Sequence, residues 1–177
     1  MALTIDRAAN KLVGHDNFAQ VEPNHLSAPR DGGVYGQLPA AQSIEILKQG
    51  TFVKYDYSKG EVNFTGEGPW MMVFNEEKLY DERKQMHRDY AMQKGEFYDG
   101  VMVPRVFRMA AGDIFTTNAV VKGSYTVGDK VAPNAQGILD KTAAAKAGTD
   151  KTLLLQVVKE TTMPDGQPAV KLQVIHE

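Results

Sequence analysis

The chain has 177 residues, with 20 basic and 22 acidic side chains, a formal net charge of -2 and no cysteine. That length suits one substantial domain, which buries roughly two-thirds of its unfolded surface and requires no disulfide or metal staple. The missing thiols exclude disulfides, thiolate zinc sites, iron–sulfur clusters and cysteine nucleophiles, and the balanced charge gives no field that would make nucleic acid or an anionic membrane the main partner.

The first stretch, MALTIDRAANKLVG, lacks the apolar centre of a secretory signal. No run reaches the roughly 20 apolar residues that span a bilayer, so a soluble protein without an export signal is expected. Residues 1–43 carry few apolar side chains, and neither a 3.6 nor a 2.0 period persists. Pro23, Pro29, Gly32, Gly33 and Pro39 interrupt any long element. An extended N-terminal arm is expected over 1–43, ordered by lying on a neighbour, with a loop on its own domain or a flexible tail as the other possibilities. Phe18, Val21, Leu26 and Tyr35 are its candidate partner contacts.

From residue 44 to 177 a β-rich domain is expected. Phe52 to Tyr57 alternates, Ser58-Lys59-Gly60 turns, and Glu61 to Phe64 alternates again, which reads as a hairpin. Pro69-Trp70-Met71-Met72-Val73-Phe74 reads as a buried strand. Trp70, alone of its kind, is more readily core than an exposed contact, and is kept as the fifth candidate contact. Residues 75–94 break the pattern. Asn75 can cap a helix with Glu76 and Glu77 in its first turn, and the segment is strongly charged. A surface helix or a structured insertion is expected there. Val101 to Met109 is β-rich, and Pro104 suggests an edge or a bulge.

Gly112-Asp113 and Gly128-Asp129 raise the question of a phosphate loop. Such a loop opens a helix, whereas each pair here precedes β-branched and aromatic residues. Both read as β turns, with Gly supplying unusual dihedrals and Asp bonding the turn. Asp140 to Asp150 is a small-residue connector, a short helix or a loop. Leu153 to Glu160 and Ala169 to Ile175, joined by Met163 to Pro168, form the clearest hairpin. Turns every 8–12 residues indicate a compact β-barrel or β-sandwich. No exact internal repeat stands out.

Chemistry-bearing motifs fail one by one. His87-Arg88-Asp89 spells a kinase catalytic loop, but Lys94 stands where that loop needs Asn. His15, His25, His87 and His176 have no metal-pair spacing, and the acidic residues of 76–89 lack a calcium-loop pattern. No serine sits in a nucleophile elbow. No catalytic residue, metal or cofactor is expected, and the chain reads as non-enzymatic.

The stretches AGDIFTTN, YTVGDKVAPNAQGIL and LLLQVVKETTMPDGQPAVKLQVI, within residues 100–177, resemble the auxiliary or decoration capsid proteins of tailed bacteriophages. The resemblance implies a protein that is made in the host cytoplasm and binds the outside of the capsid shell. It implies the major capsid protein as partner and an oligomeric state, with no role for nucleic acid or membrane. The charged segment 75–94 departs from a small decoration fold. Another head–tail or fibre-base subunit and a carbohydrate-binding β domain are the alternatives.

Overall fold

The computed structural model describes residues 3–5, 19–28, 33–35, 38–75, 78–79, 88–89, 91–146, 153–164 and 166–177. Among these the chain is mainly β. Its strands are β1 (Leu3–Ile5), β2 (Val21–His25), β3 (Val34–Tyr35), β4 (Ile46–Lys48), β5 (Phe52–Asp56) and β6 (Glu61–Asn63). They continue with β7 (Trp70–Val73), β8 (Lys78–Leu79), β9 (Arg88–Asp89), β10 (Ala91–Gln93), β11 (Val106–Arg108) and β12 (Ile114–Thr117). The last are β13 (Gly123–Tyr125), β14 (Lys130–Pro133), β15 (Leu139–Asp140), β16 (Leu154–Thr162) and β17 (Pro168–His176). A six-stranded sheet runs β15-β14-β16-β17-β12-β2 and a five-stranded sheet runs β3-β11-β7-β5-β6. The pairs β1–β13, β4–β10 and β8–β9 stand apart, and no closed barrel forms among the described residues. No helix there is long and apolar enough to cross a membrane.

Alternation along the strands explains the layering. Phe52, Met72 and Phe107 of the five-stranded sheet join Phe115, Val131, Leu155, Leu172 and Val174 of the six-stranded sheet in one buried cluster. Their neighbours Val53, Met71, Val73 and Val106 point the other way, into a second cluster with Ala40, Ile44, Leu47 and Met102. The five-stranded sheet is therefore covered on both sides, which is why its central strands read as continuous apolar runs. β11 starts only after Pro104 and sits between β3 and β7, so Pro104 marks neither an edge strand nor a bulge.

The two Gly-Asp turns are the same device used twice. Gly112 and Gly128 have φ of 95° and 94°, open only to glycine without strain. Gly112 N–H donates to the Val174 carbonyl at 2.9 Å, and Val174 N–H donates to the Asp113 carbonyl at 2.9 Å. Gly128 and Asp129 hold Val157 in the same way, at 2.8 Å both times. Each aspartate also accepts the backbone N–H three residues earlier, Ala110 at 2.9 Å and Thr126 at 2.8 Å. Val157 and Val174 end the matching tripeptides Leu155-Gln156-Val157 and Leu172-Gln173-Val174. Leu155 pairs with Val174, Gln156 with Gln173 and Val157 with Leu172, and the register shifts just after each tripeptide. The β14–β16–β17–β12 unit is thus related to itself by a local two-fold axis at the Gln156–Gln173 pair. An internal repeat is present after all, too short and too dispersed to stand out in the sequence.

The expected arm is extended where it is described, and it lies on this chain's own sheets. β2 pairs with β12 and β3 with β11, while Ala28, Ala40 and Ala41 are buried in the two clusters. No α-helix forms among the described residues of 75–94, where a single 3-10 turn begins at Lys94. Lys78–Leu79 instead pairs antiparallel with Arg88–Asp89. The backbone N–H of Asn75 donates to Gln49 Oε1 at 2.7 Å, and its Oδ1 accepts from Arg105 N–H at 2.8 Å. A short α-helix, α1 (Lys141–Lys146), falls in the small-residue connector, where Asp140 Oδ1 accepts the Thr142 N–H at 2.9 Å as an N-cap does.

The hairpin turn after β5 is built on Asp56. Its Oδ1 accepts the Ser58 hydroxyl at 2.7 Å and the Ser58 and Lys59 N–H groups at 3.1 Å each, and its Oδ2 accepts Asn63 Nδ2 at 3.1 Å. These bonds, the Ser58 hydroxyl foremost, hold the carboxyl down at about 2. A folded-state value below the unfolded one adds stability above the unfolded pKa and loses it as pH falls. The urea midpoint should drop as pH goes from 3.8 toward about 2. In Asp56→Asn that part of the drop should be absent.

Asp113 and Asp129 allow a second comparison. Asp113 is buried and also accepts the Ser27 N–H at 2.8 Å, so it ties the N-terminal segment to the turn. Asp113→Ala should destabilise by about 2–3 kcal/mol, from orphaned buried donors. Asp129→Ala, nearer solvent, should cost about 1 kcal/mol or less. Equal midpoint shifts in denaturant would contradict this account.

Candidate functional site

The five candidate contacts do not converge. Phe18 lies outside the described residues. Val21 and Leu26 are half-buried and pack on the cluster between the sheets, as does Trp70. Tyr35 is the exposed one, 43% accessible on the edge strand β3. The structure therefore turns three of these side chains inward and leaves one outward.

Trp70 nevertheless borders a cleft. It lies at the start of β7. The cleft has a volume of about 270 Å³ and is lined by Lys54, Glu67, Gly68, Pro69, Trp70, Arg108, Met109, Leu153 and Glu177. Lys54 pairs with Trp70 across β5 and β7, which brings its ammonium 4.9 Å from the ring centroid. One face of the indole is thereby engaged by a cation. Two cations, two carboxylates and an aromatic edge can hydrogen-bond a small polar ligand. A second cleft of about 220 Å³ has a more apolar lining that includes Ile46, Phe64 and Ile138.

Other features had no signal at the level of motif. Tyr55 and Tyr57 meet edge to face at 5.0 Å, and Tyr57 and Tyr98 are exposed. A buried amide chain links Gln20 N–H to Asn118 Oδ1 at 2.7 Å and Asn118 Nδ2 to Gln167 Oε1 at 2.9 Å. It joins three segments far apart in sequence. Among the described residues no three His, Asp or Glu side chains cluster as metal ligands. Asp129 has its carboxyl lowered by the Lys141 ammonium, 2.7 Å away, and then by the Thr126 N–H. The strand phase of LQVVK and KLQV could have revealed one more feature, the side chains sharing the outer face of the six-stranded sheet.

No protein-family model, curated protein or solved structure matches the chain.

Core and surface roles separate by mutation. Trp70→Ala should lower stability by about 2–3 kcal/mol, because it removes a half-buried aromatic from the main cluster. Tyr35→Ala should change it by less than about 0.5 kcal/mol. Equilibrium unfolding of the two variants checks the contrast.

Proposed function

We propose that this chain is a non-enzymatic structural protein of a virion, made in the host cytoplasm and attached to the outside of a capsid shell. On this reading its partner is the major capsid protein, it acts as an oligomer on the lattice, and its facing sheets form a sandwich-like module. The observation that supports it most is the course of the N-terminal segment. β1 pairs with β13, β2 takes the outer edge of the six-stranded sheet, and β3 takes the outer edge of the five-stranded sheet. A segment laid down this way packs one side on its own domain and presents outward side chains, Tyr35 among them, to a neighbour. Modest contacts repeated over a lattice then gain by avidity.

A second reading, a carbohydrate-binding β domain, is favoured by the Trp70 cleft with Glu67, Lys54 and Arg108. It is the weaker one, because Lys54 already engages an indole face.

Full-length protein mixed with shells assembled from the major capsid protein should co-sediment with them and raise their melting temperature. Tyr35→Ala should weaken attachment by roughly five- to thirty-fold, the scale of one interface aromatic. Shells that stay bare would overturn the proposal. Trp70 is the chain's one tryptophan, so quenching of its emission by neutral oligosaccharides without shell binding would move the second reading to first place.

A further inference from the structure

We infer that the outer face of the β14–β16–β17–β12 unit binds a carboxylate-rich protein surface. The inference rests on the proposed attachment to a protein shell and names the face that makes the contact.

Register places the side chains. Leu155, Val157, Val170, Leu172 and Val174 point into the core, so their alternating neighbours point out. One outward row reads Lys130, Gln156, Gln173, Ile114. The next reads Lys159, Lys171 and Glu22, with Thr116 between Lys171 and Glu22 buried and its hydroxyl donating to Asn24 Oδ1 at 2.8 Å. Three lysines and one glutamate thus share a face of a chain whose net charge is -2. Lys159 and Lys171 are directly opposed across the strands, a like-charge pair that disfavours the isolated fold. Among the described residues no carboxylate lies in ion-pair range of Lys130, Lys159 or Lys171. An anionic partner relieves that repulsion, so binding gains what folding forgoes.

The partner is a protein rather than a nucleic acid because of what flanks the lysines. At the two register shifts, Val158 and Ile175 are 37% and 38% exposed. The local two-fold axis relates them, about 14 Å apart by strand rise. Exposed β-branched side chains gain from apolar cover on a protein, and a phosphate backbone offers none. The two central glutamines can hydrogen-bond either kind of surface and do not discriminate.

The test uses the full chain, titrated with poly-L-glutamate and, separately, with a short DNA duplex. Wild type should bind poly-L-glutamate with salt-sensitive affinity and the duplex more weakly. Lys159→Glu/Lys171→Glu should weaken poly-L-glutamate binding about ten-fold or more. Lys59→Glu, on the β5–β6 turn, should leave it unchanged. Lys159→Gln/Lys171→Gln should raise the melting midpoint while still weakening binding, which separates lost recognition from lost folding. Tighter binding of the duplex, no binding of poly-L-glutamate, or an unaffected double variant would each overturn the inference. Co-sedimentation with shells keeps the two claims apart. Shell binding that survives Lys159→Glu/Lys171→Glu removes this face and leaves the attachment. Poly-L-glutamate binding through this face with bare shells does the reverse.

Discussion

Phe52 and Met72 face one apolar layer while Val53 and Met71 face another, so the centre of the five-stranded sheet has no polar side to turn to water. Each such side chain contributes about 1.5–3 kcal/mol by burial only if a cover exists on its side. The six-stranded sheet supplies one cover. The stretch from Ala40 to Leu47, with Met102, supplies the other. Hydrogen bonds pin that second layer in place: Ala40 N–H donates to the Met102 carbonyl at 2.8 Å and Ala41 N–H to the Val62 carbonyl at 2.9 Å. Ala40 and Ala41, which precede residue 44, are thus part of that second layer.

The opposite layer solves a different problem. Six antiparallel strands must twist and still hold register, and bulges in β16 and β17 both bend a strand and re-aim a side chain. Here each bulge follows a Leu-Gln-Val tripeptide and is gripped by a Gly-Asp turn through the tripeptide's last residue. The turn cannot slip, because glycine's positive φ aims its N–H at the strand while the aspartate closes the loop behind it. The grip turns Val158 and Ile175 outward at symmetric positions. Fold and outer surface are therefore set by one repeated device.

Much of this was legible in order. Alternation located β5, β6, β16 and β17, and the Gly-Asp pairs were readable as turns because no helix follows either one. The failures have physical causes. Asn75 with two glutamates looks like a helix start, but its N–H is taken by Gln49 and its Oδ1 by Arg105, and Lys78–Leu79 pairs with Arg88–Asp89 as a structured insertion would. The repeat was hidden because its halves, turn and strand, lie far apart in sequence and meet only through β pairing. The segment 1–43 reads as an arm on a neighbour because edge strands need only one buried side, so a sparse apolar residue such as Val21 suffices. The candidate contacts suffered from the same limit. An apolar residue in such a segment can face either way, and Val21 and Leu26 face in while Tyr35 faces out.

Two open sheets have four edges, and each unpaired edge invites another strand. β15 is two residues long and runs straight into α1. β6 is flanked by the Pro39–Ala41 backbone, whose bonds to Val62 occupy it. β3 is two residues long. That leaves β2, with five residues, of which Glu22, Pro23, Asn24 and His25 are exposed. Pro23 has no N–H to offer, and Glu22 adds charge, so even this edge accepts an added strand poorly. Edge pairing alone is therefore a weak handle. A broad sheet face, where side chains rather than backbone groups make the contact, is the larger surface left for a partner. Attachment through the N-terminal segment therefore rests on outward side chains such as Tyr35, and the outward rows of β14, β16, β17 and β12 add a second surface to it.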